Sequence, residues 1–166
     1  MTTGIIEILE ADLDRPAHQR AVVTLLDAYA MDPMGIGKAL ATDVRRDLIP
    51  GLQQHPPTII FLAFQKEKAV GIATCFRGFS TFAARPLINI SDFFVLPDLR
   101  GQKVGQMILA AVEQKARDIG CCKVTLEVQE NNHRARRIYT AAGFSRAVYV
   151  KAAGGVLFFS KPLQDT

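Results

Sequence analysis

The apolar positions of this chain change period several times, and each change marks an element. Ile5 to Leu9 is a short run of strand type. Asp14 followed by Pro16 signals a helix start, and Val22, Leu25, Leu26 and Tyr29 then recur at helical spacing in a helix that should end near Met31-Asp32-Pro33. Pro33, Gly35 and Gly37 make the next stretch a loop. Thr42 offers a cap for a second helix carrying Val44, Leu48 and Leu52, which Pro50 should kink or end. Two apolar runs, Thr58 to Phe64 and Ala69 to Arg77, flank a polar turn and predict a hairpin. Gly78 to Pro86 reads as a loop. Leu87 to Leu96 reads as a strand that Pro97 closes.

The second half alternates more regularly. Val104, Ile108, Ala111, Val112 and Ile119 mark one side of a helix that stops at Gly120. Lys123 to Gln129 alternates as a strand. Asn131 and Asn132 offer caps for a helix over Asn132 to Ala142, stopped by Gly143. Phe144 to Val150 and Val156 to Ser160 predict a closing strand pair around Gly154 and Gly155. The predicted order is β-α-α-β-β-β-α-β-α-β-β. It describes an α/β fold with a mixed, mostly antiparallel sheet flanked by helices on both faces. Strands and helices do not alternate throughout, which excludes a doubly wound nucleotide fold.

Composition narrows this picture slightly. A length of 166 residues suits one domain, taken as 1–166, and 49% apolar with 22% charged residues excludes a disordered or repetitive chain. No apolar stretch is long enough for a membrane span, and Met1 to Gly4 lacks the basic and apolar regions of a secretory leader, so a cytoplasmic protein is expected. Cys75, Cys121 and Cys122 are then expected as thiols. His18, His55 and His133 are scattered and suit no metal. The net charge of +4 fits a phosphorylated small molecule as well as a nucleic acid. Its clusters, Arg100 with Lys103 and Arg134 with Arg136 and Arg137, flank helix starts. That suits a small polyanion better than a duplex, so no nucleic-acid or membrane partner is expected.

Two segments carry candidate chemistry. Arg100-Gly101-Gln102-Lys103-Val104-Gly105 joins a strong strand to a strong helix. Its glycines permit close backbone approach, and the helix start presents open N–H groups and a positive dipole end, which together hold phosphate. The plain alternative is a turn that needs glycine and binds nothing. It is neither a Walker loop nor a dinucleotide fingerprint. Farther on, Asn132, Ala135, Tyr139 and Gly143 are spaced by three, four and four residues and share one helical stripe. A cap amide, a small residue and a phenol leave room for a ligand and offer a proton donor. A Tyr with its hydroxyl at the surface is the plain alternative.

Together the two segments resemble the GNAT superfamily of N-acetyltransferases. Val95-Leu96-Pro97 leads into the superfamily's Q/R-x-x-G-x-G/A loop at Arg100 to Gly105. Asn132, Ala135, Tyr139, Gly143 and Phe144 match its N-x-x-A-x-x-x-Y-x-x-x-G-F signature. One position departs, because Lys103 stands where the loop's first glycine is expected. If that position needs an unusual backbone angle or very close approach, Lys is a cost; if it does not, the Lys side chain can itself reach a phosphate.

The resemblance implies acetyl-CoA as co-substrate, with no metal. Backbone N–H groups from Arg100 through Gly101, Gln102, Lys103, Val104 and Gly105 to Gln106 would hold the pyrophosphate. The strand edge from Phe93 through Phe94 to Val95 would pair with pantetheine, and a backbone N–H there would polarise the thioester carbonyl. Asn132, Arg134 and Ala135 would face the cofactor arm, and Tyr139 would protonate the departing thiolate. The acceptor is expected to be a primary amine of a small molecule or peptide, met by Tyr29 and Asp32; a homodimer is compatible with the resemblance.

A protonated alkyl amine costs about 4.6 kcal/mol to neutralise at pH 7, so a base is needed. Glu127, in a Leu-Glu-Val setting before the Asn-Tyr helix, resembles the base of ribosomal-protein N-terminal acetyltransferases. Asp92, near the end of its strand, resembles acidic residues of polyamine acetyltransferases. Simple alternation aligns Asp92 with Ile88, Ile90 and Phe94 unless a bulge shifts the parity. The alternative to an enzyme is a catalytically silent acyl-CoA-binding module.

Overall fold

The computed structural model describes residues 4–163. Met1 to Thr3, most of the segment read for a leader, lie outside the described residues. The chain forms two compact units, Met1–Asn132 and His133–Thr166.

The first unit is built on one five-stranded sheet in the order β1-β2-β3-β4-β5. The strands are β1 (Ile6–Glu10), β2 (Thr58–Gln65), β3 (Lys68–Ser80), β4 (Arg85–Val95) and β5 (Val124–Leu126). The first four pair antiparallel, and β5 joins β4 in parallel. Helices α1 (Pro16–Met31) and α2 (Thr42–Gln53) precede β2, and α3 (Val104–Asp118) lies between β4 and β5.

Residues directly paired across antiparallel strands share a face. One face carries Ile60, Leu62, Ile72 and Phe94, which pack with Ala21, Val22, Leu25 and Leu26 of α1 and Ile49 of α2. The opposite face receives α3. A Cβ at Gly71 would lie 2.8 Å from Ile108 Cδ1, so the missing side chain is what lets α3 settle onto β3. Helices thus cover both faces of a mixed, mostly antiparallel sheet, as the sequence predicted. Among the described residues no helix is long and apolar enough to cross a membrane.

Several local expectations are corrected. The helix start signalled by Asp14 and Pro16 does hold: Pro16 opens α1 after Arg15, and Asp14 N–H donates to Asp12 Oδ1 at 2.9 Å. Thr42 is the first helical residue of α2, with Ala41 at the cap position. Pro50 does not end α2, which runs on to Gln53, and the Pro50 carbonyl accepts Gln54 N–H at 3.1 Å. The expected loop from Gly78 to Pro86 is largely strand. Gly78 pairs with Leu87, Phe79 with Pro86 and Ser80 with Arg85, leaving only 81–84 as the turn. Glycine and proline signalled a loop, but pairing between long arms overrode local propensity.

The second unit contains α4 (His133–Ala141), one residue shorter at each end than expected. The strands expected at Phe144 to Val150 and Val156 to Ser160 do not form. One bond between them, from Val156 N–H to Ala147 O at 3.0 Å, is recorded. Tyr149, Leu157, Phe158 and Phe159 are exposed. Alternation assigns residues to faces, but a strand also needs a ladder along its length.

Candidate functional site

The site begins with a register shift in β4. Thr74 of β3 pairs with Asp92, whereas the next residue, Cys75, pairs with Ile90. Ser91 is therefore an extra residue, a β-bulge. It flips parity, so Asp92 shares a face with Phe94, Thr74 and Ile72 and leaves the face of Ile88 and Ile90. Simple alternation along β4 fails here, and Asp92 stays aligned only with Phe94.

The β4–β5 ladder covers Ile88–Ile90 and ends where the bulge begins. Beyond it β4 continues to Val95 while β5 finishes at Leu126, three residues short of the expected end at Gln129. Asn89 Nδ2 donates to Thr125 Oγ1 at 2.9 Å and clamps the last paired stretch.

Four groups converge on the face that Asp92 enters. Tyr29 of α1 stacks on Phe94, with ring centroids 5.5 Å apart and planes 26° from parallel. Burial raises the Tyr29 phenol above its ordinary value, and the charges of Asp92 and Asp32 raise it further. Burial likewise raises the Asp92 carboxyl, while the Thr74 hydroxyl across the ladder pulls it back by less. Thr74 Oγ1 is itself buried and stops short of hydrogen-bond geometry with any partner, so its help to the carboxylate is weak. Cys75 is pushed up to about 12 by burial and by Asp92, which makes it an inert thiol.

Arg100 and Asp32 join this group from either side. Arg100 Nη2 donates to Asp32 Oδ2 at 2.7 Å, and Arg100 Nε donates to Val95 O at 3.0 Å. The guanidinium also lies over the Phe94 ring, 5.5 Å from its centroid. The other Asp32 oxygen accepts the Met34 N–H at 2.9 Å. Both residues, expected to face ligands, thus hold one another inside the protein.

The phosphate-type loop keeps its open character. Gly101 has φ +79 with nothing within 4 Å of a Cβ placed there. Lys103 has φ 64 and ψ 8 and occupies the cap position of α3 without a side-chain cap bond. The loop does need a left-handed residue at the glycine position, and Lys supplies it at a cost of about 1–2 kcal/mol. Gly101, Gln102, Lys103 and Gln106 are exposed, while Val104 and Gly105 are buried. No side-chain cap bond engages the first N–H groups of α3.

Glu127 stands apart. It follows the last residue of β5 and is exposed. In the second unit, Tyr139 is buried, at 7% exposure, and Ala135 is partly buried, whereas Arg134, Arg136 and Arg137 are exposed. The stripe expected on this helix is therefore its less exposed face. The Tyr139 and Phe144 rings lie 5.9 Å apart, and Phe144 N–H donates to Tyr139 O at 2.9 Å. Asn132 ends the first unit, its N–H donating to Gln129 O at 3.0 Å. Among the described residues no group of three or more His, Cys, Asp and Glu side chains is placed to hold a metal ion.

Two residues enter the site that were not expected there, Thr74 and Gln129, whose Nε2 donates to Met34 O at 2.8 Å, while Phe94, expected beside pantetheine, is the ring under both Tyr29 and Arg100. Thr74 carries no sequence signal, because its place depends on the bulge.

This architecture has close counterparts. The chain shares its fold with an aminoglycoside N-acetyltransferase, AAC(6′)-Iy, solved in complex with CoA; the TM-score is 0.72 at 18% identity, over 95% of each chain. The model of the Acetyltransferase (GNAT) family matches residues 24–144, and the chain belongs to that family. It is 36% identical over 74 residues to a thialysine N-epsilon-acetyltransferase of Bos taurus, covering 45% of this chain and 43% of the relative. It is 30% identical over 86 residues to an aminoalkylphosphonate N-acetyltransferase of Salmonella typhimurium, covering 52% and 56%. The chain spans about half the length of these curated relatives.

Proposed function

We propose that this protein transfers an acetyl group from acetyl-CoA to a primary amine by direct transfer, with Asp92 as the base. The carrying observation is the bulge at Ser91. It turns Asp92 into a half-buried position beside the end of the β4–β5 ladder, where its proton affinity is raised. An exposed carboxylate such as Glu127 lacks that environment. A buried hydroxyl left short of a partner, Thr74 Oγ1, is also a feature that folding alone does not favour.

Acetyl-CoA supplies the acyl group already activated as a thioester. The chain's own residues do the rest. Open backbone N–H groups at the start of α3, beside Gly101, fit a pyrophosphate. Asp92 accepts the ammonium proton, directly or through water, and the neutral nitrogen then attacks. The N–H groups of β4 beyond the bulge stabilise the developing oxyanion. Tyr139, assigned by its place in the Asn-Tyr signature, donates its proton to the departing thiolate. The acceptor is a small-molecule or peptide amine. Relatives named for thialysine, for aminoalkylphosphonates and, in Arabidopsis thaliana, for N-alpha-acetylation support an amine acceptor.

Release of free thiol from acetyl-CoA against a panel of primary amines tests the reading. Turnover that Asp92→Asn removes is expected. CoA binding without thiol release on any amine would instead identify an acyl-CoA-binding module.

A further inference from the structure

We infer that Arg100 is a positioning residue that latches the α1–α2 loop to the end of β4, rather than a ligand of the cofactor's phosphates. This rests on the acetyl-transfer reading for what the loop does, but not for the latch itself. Arg100 follows the 3-10 turn Pro97–Leu99 at the start of the phosphate-type loop. Its donors point back into the protein. Nε donates to Val95 O, Nη2 donates to Asp32 Oδ2, and the guanidinium plane covers Phe94. Its side chain is 22% exposed and that of Asp32 only 7%, so the pair is largely withdrawn from solvent. An arginine recruited for a mobile anion would not spend its fork on a buried carboxylate and a backbone carbonyl.

Asp32 is equally committed. One oxygen accepts from Arg100 and the other from Met34 N–H, which sets the first turn of the loop. The same loop is held from the opposite side by Gln129, past the end of β5, through Met34 O. Its far end is fixed by Leu40 N–H donating to Asp27 Oδ1 at 2.8 Å. Thus the loop after α1 is fastened both to the segment following β4 and to the segment following β5. These are the two strands whose pairing ends at the bulge. Tyr29, stacked on Phe94 beside Asp92, lies just before the loop and shares the ring that Arg100 covers. The latch therefore sets the wall beside the proposed base. Its removal should be felt by the acceptor rather than by CoA.

The test compares Arg100→Met, Asp32→Asn and the double variant in the full chain. CoA affinity is measured by calorimetry, amide exchange is followed across 33–41, and steady-state kinetics use the best amine from the panel. The expected result is faster exchange in 33–41 in both single variants, with CoA affinity within about threefold of the parent. Acceptor KM should rise about tenfold with kcat changed less, and the double variant should be no worse than either single one. Asp32→Glu should restore part of the acceptor KM. A tenfold or greater loss of CoA affinity in Arg100→Met, absent from Asp32→Asn, would overturn the inference and make Arg100 a phosphate ligand. Unchanged exchange in both variants would also overturn it. If no amine is acetylated, the exchange and CoA measurements still decide the latch, so failure of the acetyl-transfer reading is seen separately.

Discussion

Asp92 and Glu127 began as equal candidates and ended in different surroundings. Each lies near the end of a strand, and the two strands are neighbours in the sheet. Asp92 belongs to a strand that continues to Val95 beyond the bulge, held by β3 on one side and covered by α1 on one face. Glu127 lies just past a strand that stops at Leu126, and it is exposed. The difference comes from how far each ladder runs and not from the side chains. A carboxylate gains proton affinity from burial, and burial here is granted by one extra residue, Ser91.

The largest effect should come from Asp92 itself. Asp92→Asn should lower kcat/KM by about 10²–10⁴ at neutral pH, the range for removing a general base, while Glu127→Gln should change it by less than about threefold. Stability should move the other way. The folded-state proton affinity of Asp92 is raised, so its contribution to stability is fully present below the unfolded carboxylate range and is lost as pH rises through the folded value. Asp92→Asn should therefore raise the melting temperature at pH 7 and not at pH 3. A protein that loses both activity and stability on this change would place Asp92 in a structural role.

Tyr139→Phe sharpens the comparison from the leaving-group side. Thiols leave readily, so a loss of roughly tenfold in kcat is expected, below the usual range for general acids, measured by thiol release. Lys103→Gly should raise stability by about 0.5–1 kcal/mol, the left-handed cost less the backbone entropy of glycine, as read from denaturant midpoints. The smallest effect is expected from Thr74→Val. It removes the weak pull of the hydroxyl, so the acidic limb of the pH–rate profile should move slightly upward, with stability unchanged or improved.

The sequence disclosed most of the first unit. Pro16 and the helical spacing placed α1, which runs from Pro16 to Met31, and the apolar runs placed β2, β3 and β4. The two motifs, with the order of elements, pointed to the family to which the chain belongs. What stayed hidden depends on pairing between distant segments. The bulge at Ser91 is a property of the β3–β4 register, so the face of Asp92 was not readable from β4 alone. The arms at 78–80 and 85–86 became strand because each had the other to pair with. The apolar segments after Phe144 did not, despite a similar pattern. Arg100 and Asp32 both read as ligand-facing charges, since nothing local reveals that residues so far apart in the chain bond to each other. Lys103 shows the reverse case: the motif expects glycine there, and the backbone at Lys103 is left-handed, with φ 64.

The central claim is that the bulge makes Asp92 the working base. Its most direct measurement is the pH profile of kcat/KM for the parent, Asp92→Asn and Glu127→Gln, by thiol release with one amine acceptor. The account predicts an acidic limb in the parent and in Glu127→Gln, set above the ordinary carboxylate range, and its disappearance in Asp92→Asn. A limb that survives in Asp92→Asn and vanishes in Glu127→Gln would contradict it.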